Sequence, residues 1–191
     1  MFTATMLLSS FLTLMSAAAS VQIRGVDGTL IHPFNPAGGA NILFFISVDC
    51  PISNSYAPEI QLLCERYAKQ GVGCSLMYED VGLSAGAVRR HLQEYGYKGI
   101  PAAIDGERKV SSRAKADVTP EAVVIDAKGE IRYRGRIDNF SADLGKPRQQ
   151  VTVHDLSDAL DAVLTGRAVI NAETQPLGCS IVDPKLLRKQ K

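Results

Sequence analysis

The chain has 191 residues, 46% of them hydrophobic, and a formal net charge of +1. This is the length of one ordinary domain, long enough to bury a core without covalent help, and the composition excludes a disordered chain. The charge balance excludes an electrostatic nucleic-acid binder; the basic residues Lys185, Arg188, Lys189 and Lys191 read as a solvated tail.

Residues 1–20 stand apart. Met6 to Met15 are almost wholly apolar or hydroxylated, and Ser16-Ala17-Ala18-Ala19-Ser20 follows. The pattern predicts a secretory signal cleaved near Ala19, although no Lys or Arg precedes the apolar run. The run is too short for a stable membrane span of about 20 apolar residues. Export to the periplasm or the cell exterior is therefore expected, where disulfides persist.

The rest reads as one α/β domain over residues 21–168, with a C-terminal extension over 169–191. Val21 to Arg24 alternates, Val26-Asp27-Gly28 is a turn, and Leu30-Ile31 completes a leading hairpin. Asn41 to Val48 is a continuous apolar run, the mark of a central strand covered on both faces. It ends at Asp49-Cys50-Pro51, and Pro51 suits the first turn of a helix. Ile60, Leu63, Cys64 and Tyr67 follow at helical spacing, with a kink or restart predicted at Pro58 and a stop at Gly71. Val72 to Tyr78 is a strand. Ser84 caps a helix through Val88, Leu92 and Tyr95, and Ile100 to Ile104 is a short strand before the turn Asp105-Gly106. Thr119-Pro120 leads the apolar strand Ala122 to Ile125; a turn at Lys128-Gly129 and a strand from Glu130 to Tyr133 follow. Asp155 to Leu164 is a helix with Leu156, Leu160 and Val163 inward. This order predicts a central mixed sheet with helices on both faces.

The four cysteines permit three pairings, which the count cannot separate. Cys64 shares the apolar face of its helix, and Cys74 alternates with Val72 and Leu76, so both read as core packing. Cys50 follows a buried strand and opens a helix. Free N–H groups and the helix dipole at such a place favour a thiolate and lower its pKa. Cys179 lies in Pro176-Leu177-Gly178-Cys179-Ser180-Ile181, poorly explained as core. It reads as a partner of Cys50, as a thiol ligand of a metal, or as a structural or intermolecular cysteine. An X-Pro bond at Thr119-Pro120 can be cis, leaving Thr119 backbone groups free to meet an incoming chain. His154 reads as a helix boundary or, folded towards Cys50, as a base or ligand. His32 and His91 read as surface residues.

Strand, Cys-Pro at a helix start, Thr-Pro, Val-Val-Ile-Asp, Lys-Gly and Tyr-Arg-Gly in this order resemble the thioredoxin-like redoxin group, which includes peroxiredoxins and secreted thioredoxin-like reductases. The resemblance covers about residues 22 to 166. Cys-Pro-Ile-Ser-Asn, Gly135-Arg136-Ile137-Asp138 and the closing Thr174, Gly178, Cys179 and Ile181 are similar to an exported bacterial redoxin subgroup. It implies a thioredoxin-like fold and a thiol-dependent oxidoreductase, either a thiol-disulfide exchanger or a peroxiredoxin-like peroxidase. Cys50 would attack a protein disulfide or a peroxide. Cys179 or an external thiol reductant would resolve the product, and no cofactor is needed. Ser47 and Arg136 take the places of a catalytic hydroxyl and guanidinium, and Pro51, Thr119 and Pro120 those of substrate contacts. Two departures stand out. Ser53 occupies the position of the second cysteine of thioredoxins, and Leu43 that of the peroxiredoxin proline. An alternative resemblance, to copper chaperones of the Sco type, would use Cys50, Cys179 and His154 as ligands.

Overall fold

A computed structural model describes residues 21–143 and 146–188. The expected signal at 1–20 and the tail lysines Lys189 and Lys191 lie outside the described residues. Strands β1 (Ile23–Arg24) and β2 (Leu30–Ile31) form the leading hairpin. There follow β3 (Ala40–Ile46), helices α1 (Pro51–Ser55) and α2 (Ala57–Ala68), β4 (Val72–Tyr78), α3 (Ala85–Glu94), β5 (Ala102–Ile104) and α4 (Lys109–Ala114). The second half holds β6 (Val118–Thr119), β7 (Glu121–Asp126), β8 (Ile131–Gly135), β9 (Ser141–Asp143), β10 (Lys146–Pro147), α5 (Asp155–Leu164), β11 (Cys179–Ser180) and α6 (Pro184–Arg188).

The main sheet has the order β5-β4-β3-β7-β8. β3 runs parallel to β4 and antiparallel to β7, so the sheet is mixed, as the order of elements predicts. Every residue of β3 is buried. Successive side chains point to opposite faces. Ile42, Phe44 and Ile46 pack with Ile60 and Leu63 of α2 and with Leu156 and Leu160 of α5. Leu43 and Phe45 pack with Val110 of α4 and with Ile31 and Phe34 near the hairpin. Fully burying each such side chain contributes about 1.5–3 kcal/mol. The chain indeed restarts its helix beside Pro58, which falls in the first turn of α2, where its missing N–H costs nothing.

Four features differ from the sequence reading. Cys64 and Cys74 are not separate core residues: they form a disulfide, S–S 2.30 Å and Cα–Cα 5.9 Å, joining α2 to β4. His91 is buried beneath α1, not at the surface, and His32 is half-buried. The helix α4 carries no Gly or Pro boundary. Arg108 and Lys115, both at φ 58°, turn the chain at its two ends, and the buried Asp105 carboxylate accepts from the N–H groups of Val110 and Ser111. The hairpin β9–β10 was also unmarked in the sequence. Among the described residues no helix is long and apolar enough to cross a membrane.

Candidate functional site

β3 delivers the chain to the carboxyl edge of the sheet, where Cys50 is the N-cap of α1 with extended backbone (φ −90°, ψ 108°). Its sulfur accepts from Ser53 N–H at 3.4 Å, and as a thiol it donates to the Thr119 carbonyl at 3.1 Å. The helix it opens has only five residues. The local donor at Ser53, rather than a long helix dipole, is the specific support the sulfur receives.

The loop before Cys50 is held from both sides. Asp80 accepts from Ser47 Oγ at 2.6 Å and from Val48 N–H at 3.1 Å. Asn54 Nδ2 donates to the Val48 carbonyl at 2.9 Å, so both polar groups of that peptide residue are fixed. Asn54 Oδ1 is in turn 2.9 Å from His91 Nε2, while His91 Nδ1 is 2.9 Å from the Tyr78 hydroxyl. The amide oxygen only accepts, so Nε2 carries the proton and Nδ1 accepts from Tyr78. Burial holds the His91 pKa below its ordinary value, in keeping with a neutral ring. The hydroxyl of Ser47 is thus committed to the loop, and the Asn of Cys-Pro-Ile-Ser-Asn is a brace. Asp80 and His91 were missed in the sequence; the acidic pair Glu79-Asp80 after an apolar strand at the sheet's carboxyl edge is the one local signal for Asp80.

The Thr119–Pro120 peptide is cis. Here β11 pairs antiparallel with β6, Cys179 opposite Thr119 and Ser180 opposite Val118. The groups of Thr119 that the sequence suggested for an incoming chain are therefore met by the protein's own C-terminal segment. Thr119 Oγ1 donates to the Cys179 carbonyl at 3.4 Å. Each element of the closing motif has a place in this docking. Thr174 Oγ1 is 2.6 Å from the Tyr133 hydroxyl and accepts from Arg136 N–H at 3.1 Å. Gly178 lies against the Thr119 carbonyl, where an added Cβ would come within 2.0 Å of its oxygen. Ile181 is buried, and its N–H donates to the Asp117 carbonyl at 2.9 Å.

The docking brings the Cys179 side chain into hydrogen-bonding range of the Cys50 sulfur. Burial first, and then the hydrogen bond and negative charge of Cys50, push the Cys179 thiol up to about 11. A cavity of about 390 Å³ opens beside the pair, walled by Pro51, Ile52, Phe140, Pro147 and Cys179. A smaller one of about 190 Å³ lies between Pro120, Tyr56 and Leu177, and the two share Ser141 in their walls.

Cys50, Pro51, Thr119, Pro120 and Cys179 thus form one cluster, with Ser47 in its supporting loop. Arg136 and His154 do not join it. Arg136 lines the smaller cavity, but its guanidinium is bonded to the buried Asp155, Nε to Oδ2 2.6 Å. His154 is exposed at the N-terminal boundary of α5. Among the described residues no group of three or more His, Cys, Asp or Glu is placed to hold a metal ion. The ligand set Cys50, Cys179 and His154 is therefore not assembled.

No protein-family model matches the chain, and no curated protein matches it. Among solved structures it is similar to a hypothetical protein of Sinorhizobium meliloti, at 27% identity over 86% of this chain and 91% of that one, with a TM-score of 0.73. A thioredoxin-like protein of Aeropyrum pernix superimposes at 15% identity over 77% of this chain and 89% of that one, TM-score 0.55. A secreted disulfide oxidoreductase of Mycobacterium tuberculosis, homologous to DsbE of Escherichia coli, does so at 15% identity over 77% and 96%, TM-score 0.51. The fold is thioredoxin-like.

Proposed function

We propose that the protein is an exported thiol-disulfide oxidoreductase in which Cys50 and Cys179 form the redox couple. The carrying observation is the seating of Cys179 beside Cys50 at the cis Thr119–Pro120 peptide. It supplies from a distant segment the second thiol that Ser53 denies the Cys50 motif. The disulfide oxidoreductase among the neighbours supports the same reading, and the Cys64–Cys74 bond supports folding in an oxidising compartment.

The cycle balances as follows. The Cys50 thiolate attacks one sulfur of a substrate disulfide, forming a mixed disulfide and expelling the other sulfur as a thiolate that takes up a proton. The Cys179 thiol then loses its proton and attacks the Cys50 sulfur. The second substrate thiol leaves, and a Cys50–Cys179 disulfide remains. The substrate is reduced by two electrons and the protein oxidised by two; an external dithiol reverses this. Order is built into the electrostatics. While Cys50 is anionic, its charge and hydrogen bond help to keep Cys179 protonated. Once Cys50 is bound in a mixed disulfide that charge is gone, and Cys179 becomes the easier thiol to ionise. A disulfide substrate is preferred over a peroxide because Arg136 is paired with Asp155.

The test is a thiol count with peptide mapping after oxidation by excess hydroxyethyl disulfide. Loss of two thiols with a Cys50–Cys179 cross-linked peptide is expected. In Cys179→Ser the reaction stops at a mixed disulfide on Cys50. Retention of exchange in Cys50→Ser overturns the reading.

A further inference from the structure

Cys50 is only 1% exposed. The C-terminal segment seated across Thr119 covers it, while Cys179 on that segment is partly exposed. A thiol exchange needs three sulfurs nearly in line, and no substrate sulfur reaches Cys50 in this arrangement. Cys179 is no substitute as first attacker, because its raised pKa leaves it protonated at neutral pH.

Resting on the dithiol reading above, we propose that residues 175–180 are a lid occupying the docking edge of β6, and that a disulfide-bearing polypeptide in extended conformation displaces it to reach Cys50. The segment has the construction of a movable strand. It is fastened at one end by Thr174, on Tyr133 and Arg136, and at the other by the buried Ile181. Between these anchors it makes a ladder of only two residue pairs, and Ser180 and Gln175 face solvent. Short exposed ladders are the units that open locally without global unfolding. Cavities of about 390 and 190 Å³ adjoin it, the first at Cys179 and the second at Gln175, Pro176 and Leu177.

The chemistry of the vacated edge identifies the partner. Lifting the segment strips Val118 and Thr119 of their antiparallel partner, and Thr119 is 2% exposed. Unpaired backbone groups in such a place are costly unless another chain pairs with them. An extended peptide restores the ladder by strand addition and lays a side chain into the apolar cavity of Pro51, Ile52, Phe140 and Pro147. A small disulfide restores neither. In the oxidised protein a Cys50–Cys179 bond would pin the lid shut, so release of the reduced product and closure occur together.

The experiment measures alkylation of Cys50 by iodoacetamide in a Cys179→Ser background. There Cys50 is the one free thiol, because Cys64 and Cys74 are bonded. Adding Gly178→Ala places a Cβ against the Thr119 carbonyl and unseats the strand; alkylation accelerates by about tenfold or more. Thr174→Val, which loosens one anchor and keeps the backbone, gives a smaller acceleration in the same direction. Each variant is first shown to keep its cooperative melt. Unchanged rates in both variants overturn the lid. Equal reaction of the Cys179→Ser parent with hydroxyethyl disulfide and with a disulfide-bearing peptide overturns the choice of partner. Neither result touches the dithiol reading, which fails if Cys50→Ser retains exchange or if oxidation of the parent yields no Cys50–Cys179 cross-linked peptide.

Discussion

The two cysteine pairs of this chain lie in opposite settings. Cys64 and Cys74 are ten residues apart, on a helix and the strand that follows it, and their sulfurs are bonded within the core. Cys50 and Cys179 come from distant parts of the chain and meet at the carboxyl edge of the sheet, where both remain free. Around the first pair the neighbours are apolar and fixed by packing. Around the second they are backbone carbonyls, an N–H donor, a braced loop and a strand of two residues. A bond between elements that already pack together constrains the unfolded chain, while a pair joined through a removable strand can open and close in the folded state. The contrast in surroundings, not in the residues themselves, separates the structural disulfide from the proposed redox couple.

The comparison breaks most sharply under Cys50→Ser. Exchange with a disulfide substrate should fall by about a thousandfold or more, to the solvent background, because the substitution removes the proposed attacking sulfur. The melting temperature should barely move. Steady-state reduction of a disulfide substrate by an external dithiol, set beside a thermal melt, reads both quantities. The converse holds for Cys64→Ser combined with Cys74→Ser. Opening a loop of this length costs about 3 kcal/mol of stability in the chain-entropy account. Denaturant titration checks that figure, and exchange measured well below the melting transition should stay within about twofold of the parent. If the double variant loses exchange while still folded, the division of labour between the pairs is wrong.

The edge region should also dominate the pH dependence, since the core pair has nothing to titrate. Glu79, next to the loop-holding Asp80 at the end of β4, is buried, and neither of its oxygens meets a donor at hydrogen-bond geometry. Burial and the nearby Asp105 push its carboxyl up to about 9, although Ser111 and Arg108 are close enough to pull it partly back. The folded state therefore holds a proton that the unfolded chain releases near 4.5. Its contribution to stability is complete below that value and is lost as pH rises towards about 9, by up to about 1.4 kcal/mol per pH unit. Glu79→Gln, neutral throughout, should flatten this slope in denaturant titrations between pH 5 and 9. An unchanged slope would assign the dependence elsewhere.

Much of this was legible in the sequence because periodicity is local. The apolar run of β3, the Ser84 cap and the spacing of Leu156 and Leu160 each define an element without reference to the rest. The cluster was legible only in part. Cys50 declares itself by its strand and its proline, but the seat of Cys179 depends on Gly178 crossing Thr119, a contact between segments far apart in the chain. Cys64 and Cys74 each carry a core-like pattern, and their bond requires knowing that α2 folds back on β4. Arg136 looked available because its partner Asp155 opens a helix further along, and His91 looked exposed because a lone polar residue on a helix gives no sign of the two partners waiting for it.

The smallest predicted effect is also the most local. Asn54→Ala removes the donor to the Val48 carbonyl and the acceptor of His91 Nε2, leaving the disulfide in the core untouched. Two part-buried hydrogen bonds, with water able to reach Asn54, are together worth about 1–2 kcal/mol. The loss should appear in denaturant titration, and, because the loop carrying Cys50 slackens, as a modest fall in exchange rate that the double Cys64, Cys74 variant does not share. The sign with pH follows from His91. Its folded pKa lies below the ordinary 6.5, so its neutral ring stabilises the fold above that value and the contribution is lost as pH falls through the depressed pKa. Nε2 carries its proton in the neutral and in the protonated ring, so the Asn54 oxygen accepts from both and more strongly from the charged one; the deficit of the variant should therefore be larger at pH 5 than at pH 8. A variant deficit that is constant from pH 5 to 8 would show that Asn54 braces Val48 alone and that His91 takes no part in holding the loop.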